Sequence, residues 1–235
     1  MTTDPPTVDA RAAARAAAIA AAPPPPAVGP ARPARDKLLA AAVRLLARDG
    51  AHGPSLDAIR VEAGVSVGAL YHHFRERSAL VAAVRLQLLG EYQWRLLRLL
   101  DDGPSAEEGI RGGVHLHLAW CRDQPEGARV LVDGGGGGDR PDDALRDANR
   151  AFFATVLGWW HGHVAAGALP DLPLDLAWAT WLGPATELVR LRLAERPSPA
   201  PPRIDAAVAE QLASAAWGGL RALARPVPTD PETAP

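Results

Sequence analysis

Ser66, Val67, Gly68, Ala69, Tyr71 and His72 lie within seven consecutive residues and form a surface suited to contact rather than reaction. Two hydroxyls and an imidazole offer hydrogen bonds. Val67 and Ala69 offer small apolar surfaces that match a thymine methyl, and Gly68 leaves no side chain between backbone and partner. The same stretch carries Val67, Leu70 and Phe74 at helical spacing, and Ser66 stands where its hydroxyl can cap that helix. Gly64 precedes it. Before that glycine lies another short helical pattern, with Ser55 as its cap, Asp57 in its first turn, and Leu56 and Ile59 facing inward. A helix, a tight glycine turn and a second helix with exposed donors is the grammar of a helix-turn-helix. Its second helix enters the major groove with its N-terminal residues toward the base edges. Leu70 and Phe74 read as the inner face of that helix.

The charge is distributed to match. Residues 32–77 hold eight Arg or Lys against five acids, whereas the whole chain of 235 residues carries a net charge of -2. A basic end on an acidic remainder fits a small DNA-contacting unit on a body that does not touch DNA. Cys121 is the lone cysteine, so no intrachain disulfide can form and a reducing compartment is expected. No apolar run approaches the roughly 20 residues that cross a bilayer. The alanine tract at 12–22 is interrupted by Arg15 and runs into Pro23–Pro26, which is not the pattern of a secretory leader. The chain is expected to be cytoplasmic.

Other chemistries find little purchase. His115 and His117, like His161 and His163, are two residues apart, so on a helix they face different ways and make no two-histidine metal grip. Residues 134–139 fit one calcium-type glycine-aspartate repeat, but a single copy cannot stack, and the Gly-Lys-Ser/Thr of a phosphate loop is missing. No Ser-His-Asp or Cys-His arrangement stands out. No catalytic residue, metal or cofactor is expected.

The elements that must position the contact surface are helical throughout. Leu38, Leu39, Ala42, Leu45 and Leu46 mark one face of a helix from about Arg35 to Gly50. After the two short helices comes a long one over 78–100. Further helices are expected over 105–123, to about 132, 142–166, 174–195 and 204–225, each closed by Gly or Pro. No alternating strand pattern appears. The expectation is an all-α chain of about nine helices: a disordered, Ala/Pro-rich tail at 1–31, a reading head at 32–79, a helical body at 80–225 and a second Pro-rich tail at 226–235. If residues 1–31 do act, they act as an arm whose Arg11, Arg15 and Arg32 touch phosphates.

Residues 62–77, Glu-Ala-Gly-Val-Ser-Val-Gly-Ala-Leu-Tyr-His-His-Phe-Arg-Glu-Arg, closely resemble the DNA-binding motif of tetracycline-repressor-like (TetR-family) regulators. The resemblance is strong over 35–80 and looser beyond, where Gly-Pro-Ala-Thr-Glu-Leu-Val-Arg at 183–190 is the closest phrase. It implies further roles. Ser55 and Arg77 stand where the family places backbone-phosphate contacts. Helices 174–195 and 204–225 would form a four-helix bundle with a second copy, and the long helix over 78–100 would act as a lever between ligand and head. Departures are Leu46, Pro54, Arg60, Glu76 and Ser78. The reading surface is poor in Arg, Asn and Gln, which leaves room for shape readout.

The resemblance also implies a small-molecule effector, partly apolar or aromatic, bound in the body. Trp120 and Trp159 are the candidate pocket walls, with His117, Cys121 and His163 on the same helices. Trp178, Trp181 and Trp217 are assigned to the dimer seam. The implied function is a homodimeric, ligand-responsive transcriptional regulator of a palindromic operator, most simply a repressor. An activator or dual regulator, and a protein-interaction module with a vestigial helix-turn-helix, are the alternatives.

Overall fold

A computed structural model of the chain describes residues 7–22, 32–50, 53–101, 103–133, 143–195 and 197–224. Among these residues every regular element is a helix. They are α1 (Val8–Ala21), α2 (Pro33–Asp49), α3 (Leu56–Ala63), α4 (Val67–His73), α5 (Arg77–Asp101), α6 (Ala106–Asp123), α7 (Pro125–Asp133), α8 (Asp143–Ala165), α9 (Leu174–Trp181), α10 (Gly183–Ala194) and α11 (Ala206–Leu223). The all-α expectation holds, with eleven described helices where about nine were expected.

Two differences make up the count. The expected helix over 174–195 is broken at Leu182, because Pro184 has no N–H and its ring would collide with the carbonyl one turn back. The other difference is α1. Where the composition suggests a disordered tail, residues 8–21 form a helix capped by Thr7, whose Oγ1 accepts the Ala10 N–H at 3.2 Å. It is laid along α6, the most extensive helix pairing among the described residues. Its buried face is only Ala12 and Ala16, with Ile19 and Ala20 partly covered. Small side chains let two helices approach closely, and charged ties then fix the register. The glycine-rich segment at 134–138 and the tail at 226–235 lie outside the described residues.

Two hydrophobic cores share α5. The head core joins α2 (Leu38, Leu39, Ala42, Leu45, Leu46), Ile59, Leu70 and Phe74 to Leu80, Val81, Val84 and Leu88 of α5. The body core begins further along the same helix, at Tyr92, Leu96, Leu99 and Leu100, and gathers α6, α8, α9, α10 and α11. α7 crosses between them. Its Val130 is buried in the head core, while Arg129 Nη1 donates to the Leu193 carbonyl at 2.7 Å, at the end of α10, and Nη2 to that of Ala200 at 3.3 Å in the segment that follows. A guanidinium on the last carbonyls of a helix satisfies acceptors that the helix cannot.

Candidate nucleic-acid interface and ligand pocket

The turn that presents α4 is built from local chemistry. Gly64 sits in the left-handed region at φ +62°, a conformation that L side chains resist, and Val65 N–H reaches back to the Arg60 carbonyl at 3.3 Å. Ser55 Oγ accepts the Ala58 N–H at 3.0 Å, and Ser66 Oγ accepts that of Ala69 at 3.2 Å. Both hydroxyl protons stay available for an outside acceptor. Arg60 locks the turn from the side: its Nε donates to Asp57 at 2.7 Å and its Nη1 to the Val65 carbonyl at 3.1 Å. That is a role in the fold for a residue at which the chain departs from the motif it resembles.

α4 buries Leu70 and turns the rest outward. Val67 is 54% exposed and Tyr71 55%, both high for apolar or aromatic residues in a folded chain. Ser66, Gly68 and His72 are exposed and Ala69 half-buried. A Cβ added at Gly68 would meet nothing, so the glycine answers no crowding within the chain itself. Val61 of α3, 61% exposed, stands out as well and was not singled out in the sequence.

Arg77 is partly buried at the start of α5, and its Nε donates to the Pro54 carbonyl at 2.7 Å. It therefore anchors the residue just before the Ser55 cap, whatever it also does toward a phosphate. At the other end of α4, Arg35 lies over the Phe74 ring at 5.8 Å. His73 is held below the ordinary histidine range, first by partial burial, then by the positive charges of His72, Arg32 and Arg35, with Asp36 opposing. A positive rim thus borders the C-terminal end of the exposed helix.

The five candidate pocket residues separate into two groups. His117, Trp120 and Cys121 are buried in the middle of the body around Tyr92. His117 Nδ1 lies 3.2 Å from the Tyr92 hydroxyl, and its Nε2 lies 3.4 Å from Thr186 Oγ1 and 3.9 Å from Cys121 Sγ. Burial pushes His117 down to about 4 and the Cys121 thiol well up, so both are neutral near pH 7. The Tyr92 and Trp120 rings meet edge-on at 5.3 Å. This is a packed polar knot.

Trp159 and His163 form the second group, rings edge-on at 4.6 Å. Trp159 stacks on Trp181 at 6.0 Å and lines a cavity of about 600 Å³ between α5 and α8. Its other walls are Trp94, Leu97, Leu100 and Gly158, with Arg98, Asp101 and Thr155 as polar groups. The sequence reading missed this wall. The available signal was Trp94, Leu97, Arg98 and Asp101 at i, i+3, i+4 and i+7, one face of a long helix. Trp181, assigned to the dimer seam from sequence, is instead fully buried in its own chain, its indole N–H donating to the Ile110 carbonyl at 2.8 Å. Trp178 and Trp217 are only partly buried, and Leu176, Leu191 and Leu223 of α9, α10 and α11 are exposed. No described helix is long and apolar enough to cross a membrane.

A sequence profile described as "Bacterial regulatory proteins, tetR family" matches residues 38–84, from α2 into α5. Over 57 residues, 24% of this chain and 29% of the relative, the sequence is 40% identical to the HTH-type transcriptional regulator UidR of Escherichia coli K12. Over 85 residues, 35% of this chain and 42% of the relative, it is 33% identical to the HTH-type transcriptional repressor KstR2 of Mycolicibacterium smegmatis. The matches therefore span less than half of those relatives. The fold continues further. The fatty acid degradation regulator FadR of Bacillus halodurans has a TM-score of 0.69 at 18% identity, covering 83% of this chain and 98% of that one. FadR of Bacillus subtilis, solved in complex with stearoyl-CoA, has 0.62 at 17% identity, covering 80% and 98%. At those identities the likeness shows a common fold.

Proposed function

We propose, on the premise that the chain belongs to the tetR family of bacterial regulatory proteins, that it is a one-component transcription regulator, acting in the cytoplasm as a ligand-released repressor. The observation that carries the reading is α4: a capped, glycine-turned helix whose Val67 and Tyr71 are held in solvent while Leu70 fixes it to the head. Ser66, Val67, Gly68, Ala69, Tyr71 and His72 would face base edges and the adjoining backbone. Ser55 would take a phosphate at the start of α3, and Arg77 would hold that start in place beside the same phosphate.

Two heads about one DNA turn, 34–36 Å, apart are needed to read a palindrome, so the reading includes a homodimer. The exposed Leu191 and Leu223 support a seam of α10 and α11, within the expected segments 174–195 and 204–225. The effector would occupy the cavity between α5 and α8, apolar body against Trp94, Leu97, Leu100 and Trp159, anionic group toward Arg98. An acyl thioester of the kind named for the Bacillus subtilis neighbour, or an aryl acid, has that chemistry.

The test is selection of binding sites from random duplex DNA at two salt concentrations. An enriched palindrome with half-sites about one turn apart is expected. Recovery of only unenriched, salt-sensitive DNA overturns sequence-specific regulation and points to a protein partner for the head.

A further inference from the structure

The arginines of the head are not all spent within it. Arg44 pairs with Glu62 at 3.0 Å, Arg48 with Asp49 at 2.7 Å and Arg60 with Asp57 at 2.7 Å. Arg32, Arg35 and Arg75 differ: among the described residues none of them forms an ion pair with a carboxylate. All three border the C-terminal end of α4. Arg35 lies over the Phe74 ring, whose centre is 6.5 Å from that of His73, and the His73 and His72 rings meet edge-on at 4.9 Å. Besides His72, Arg32 and Arg35 of α2 turn positive charge toward His73, and Asp36 is the acid that opposes them. Arg32, His72 and Arg75 are exposed. Arg11 and Arg15, expected beside Arg32 in a phosphate-touching arm, face the body instead: Arg11 pairs with Glu108 at 3.1 Å, and Arg15 Nη2 donates to the Leu99 carbonyl at 2.9 Å.

Positive groups gathered this closely repel one another and are relieved by an anion. The place of the cluster says which anion. α4 spans seven residues, a rise of about 10 Å, against a major groove about 12 Å wide. With Ser66 and Val67 at the base edges, the end of α4 that carries His72 and His73 reaches the wall of the groove, and that wall is sugar-phosphate backbone. The cluster is continuous with the exposed face of Val67 and Tyr71, so one partner covers both.

We propose that Arg32, Arg35, His72 and His73 form a phosphate clamp at the wall of the groove, and that His73 takes up a proton from solvent as the clamp closes on DNA. The proposal rests on the reading of α4 as the groove-entering helix. In the free protein, partial burial and the neighbouring cations keep the His73 ring neutral near pH 7. A backbone phosphate brings a fixed negative charge, which cancels that repulsion and favours the imidazolium. The charged ring then donates an N–H to a phosphate oxygen, a stronger bond than the neutral ring makes. Because the bound state holds the extra proton, affinity is highest at low pH and falls as the pH rises through the range where the bound ring loses it. The contact carries no base information, so it strengthens binding to every duplex.

The test titrates the full-length protein with the selected palindrome and with random duplex at pH 6, 7 and 8 and constant ionic strength. Wild-type affinity for both duplexes is expected to fall at least about fivefold from pH 6 to pH 8. Acid loosening of the body through His117 acts with the opposite sign and cannot imitate this. His73→Gln keeps a donor but cannot titrate, and most of the pH dependence should go with it. Arg32→Gln alters an exposed side chain, so it tests the clamp without disturbing the head core. It should weaken both duplexes alike and lower the salt slope by about one phosphate contact per head. A pH profile of His73→Gln parallel to that of the wild type overturns the proton uptake. A wild-type salt slope in Arg32→Gln, or a loss confined to the palindrome, overturns the phosphate clamp while the reading of α4 stands. If the wild type retards no duplex even at low salt, that reading fails and the clamp fails with it.

Discussion

Gly113 lies directly beneath the indole of Trp181: a Cβ built on it would sit 2.5 Å from Cζ2 and 2.9 Å from Nε1 of that ring. One turn earlier, Gly109 makes the same room for Trp159, whose Cζ2 would be 2.4 Å away. The bare face of α6 is what allows two stacked indoles to seat against it. Trp181 cannot move aside, since its N–H is committed to the Ile110 carbonyl inside the same helix.

Gly113→Ala is therefore expected to destabilise the body by about 1–3 kcal/mol, the usual cost of forcing a methyl into a filled core. Gly158→Ala is the contrast. It meets nothing within reach and removes a glycine from α8, so a gain of up to about 1 kcal/mol is expected. Thermal unfolding of both variants checks the pair, and equal responses would mean that the crowding under Trp181 is relieved by movement of α9.

Gly68→Ala separates folding from reading. Space around Gly68 is open and the residue is inside a helix, so alanine should hold or raise head stability by roughly 0.5–1 kcal/mol. If α4 approaches the groove closely at that point, the same methyl weakens operator binding. Stability and operator affinity moving in opposite directions is the expected outcome. Unchanged affinity would place Gly68 away from the DNA.

How legible these parts were depended on range. Ser55, Gly64 and Ser66 act within four residues of themselves, so caps, turn and head could be read directly from the chain. The docking of α1 could not. Arg15 and Leu99 are 84 positions apart and Arg11 and Glu108 are 97, while the fully buried contacts of α1 are alanine methyl groups like those on its exposed side. The two groups of candidate pocket residues were hard to tell apart for a related reason. Residue type put Trp120 and Trp159 on equal footing, and only the rotation of each helix decides that one ring meets Tyr92 and the other lines the cavity. Pro184 marks the break between α9 and α10, yet the apolar pattern continues on either side of it, so pattern alone reads one helix over 174–195.

Arg77 has two duties that substitution can separate. Arg77→Ala removes both the positive charge and the Nε–H that holds the Pro54 carbonyl. Binding to all sequences is expected to weaken and the salt dependence to flatten by about one phosphate contact. Arg77→Lys keeps the charge but not the planar fork. It should restore the salt slope while leaving the head less stable than wild type. Operator and random-DNA titrations across a salt series, with thermal melts, measure both effects. A lysine variant that restores stability as well would show that the bond to Pro54 contributes little.

His117 makes the stability of the body depend on pH. It is buried, neutral and held down to about 4, whereas the unfolded chain binds its proton near the ordinary value of about 6.5. Between those values the unfolded state carries more protons than the folded one, so stability is full above about 6.5 and declines as the pH falls toward 4. The shift corresponds to a loss on the order of 3 kcal/mol across that window. His117→Gln keeps hydrogen-bonding groups near Tyr92 and Thr186 but cannot titrate. Denaturant midpoints at pH 7, 6 and 5 should therefore fall less steeply in the variant, although its stability at pH 7 is lower because amide geometry differs from the ring. Parallel slopes for wild type and variant would assign the acid sensitivity to groups other than His117.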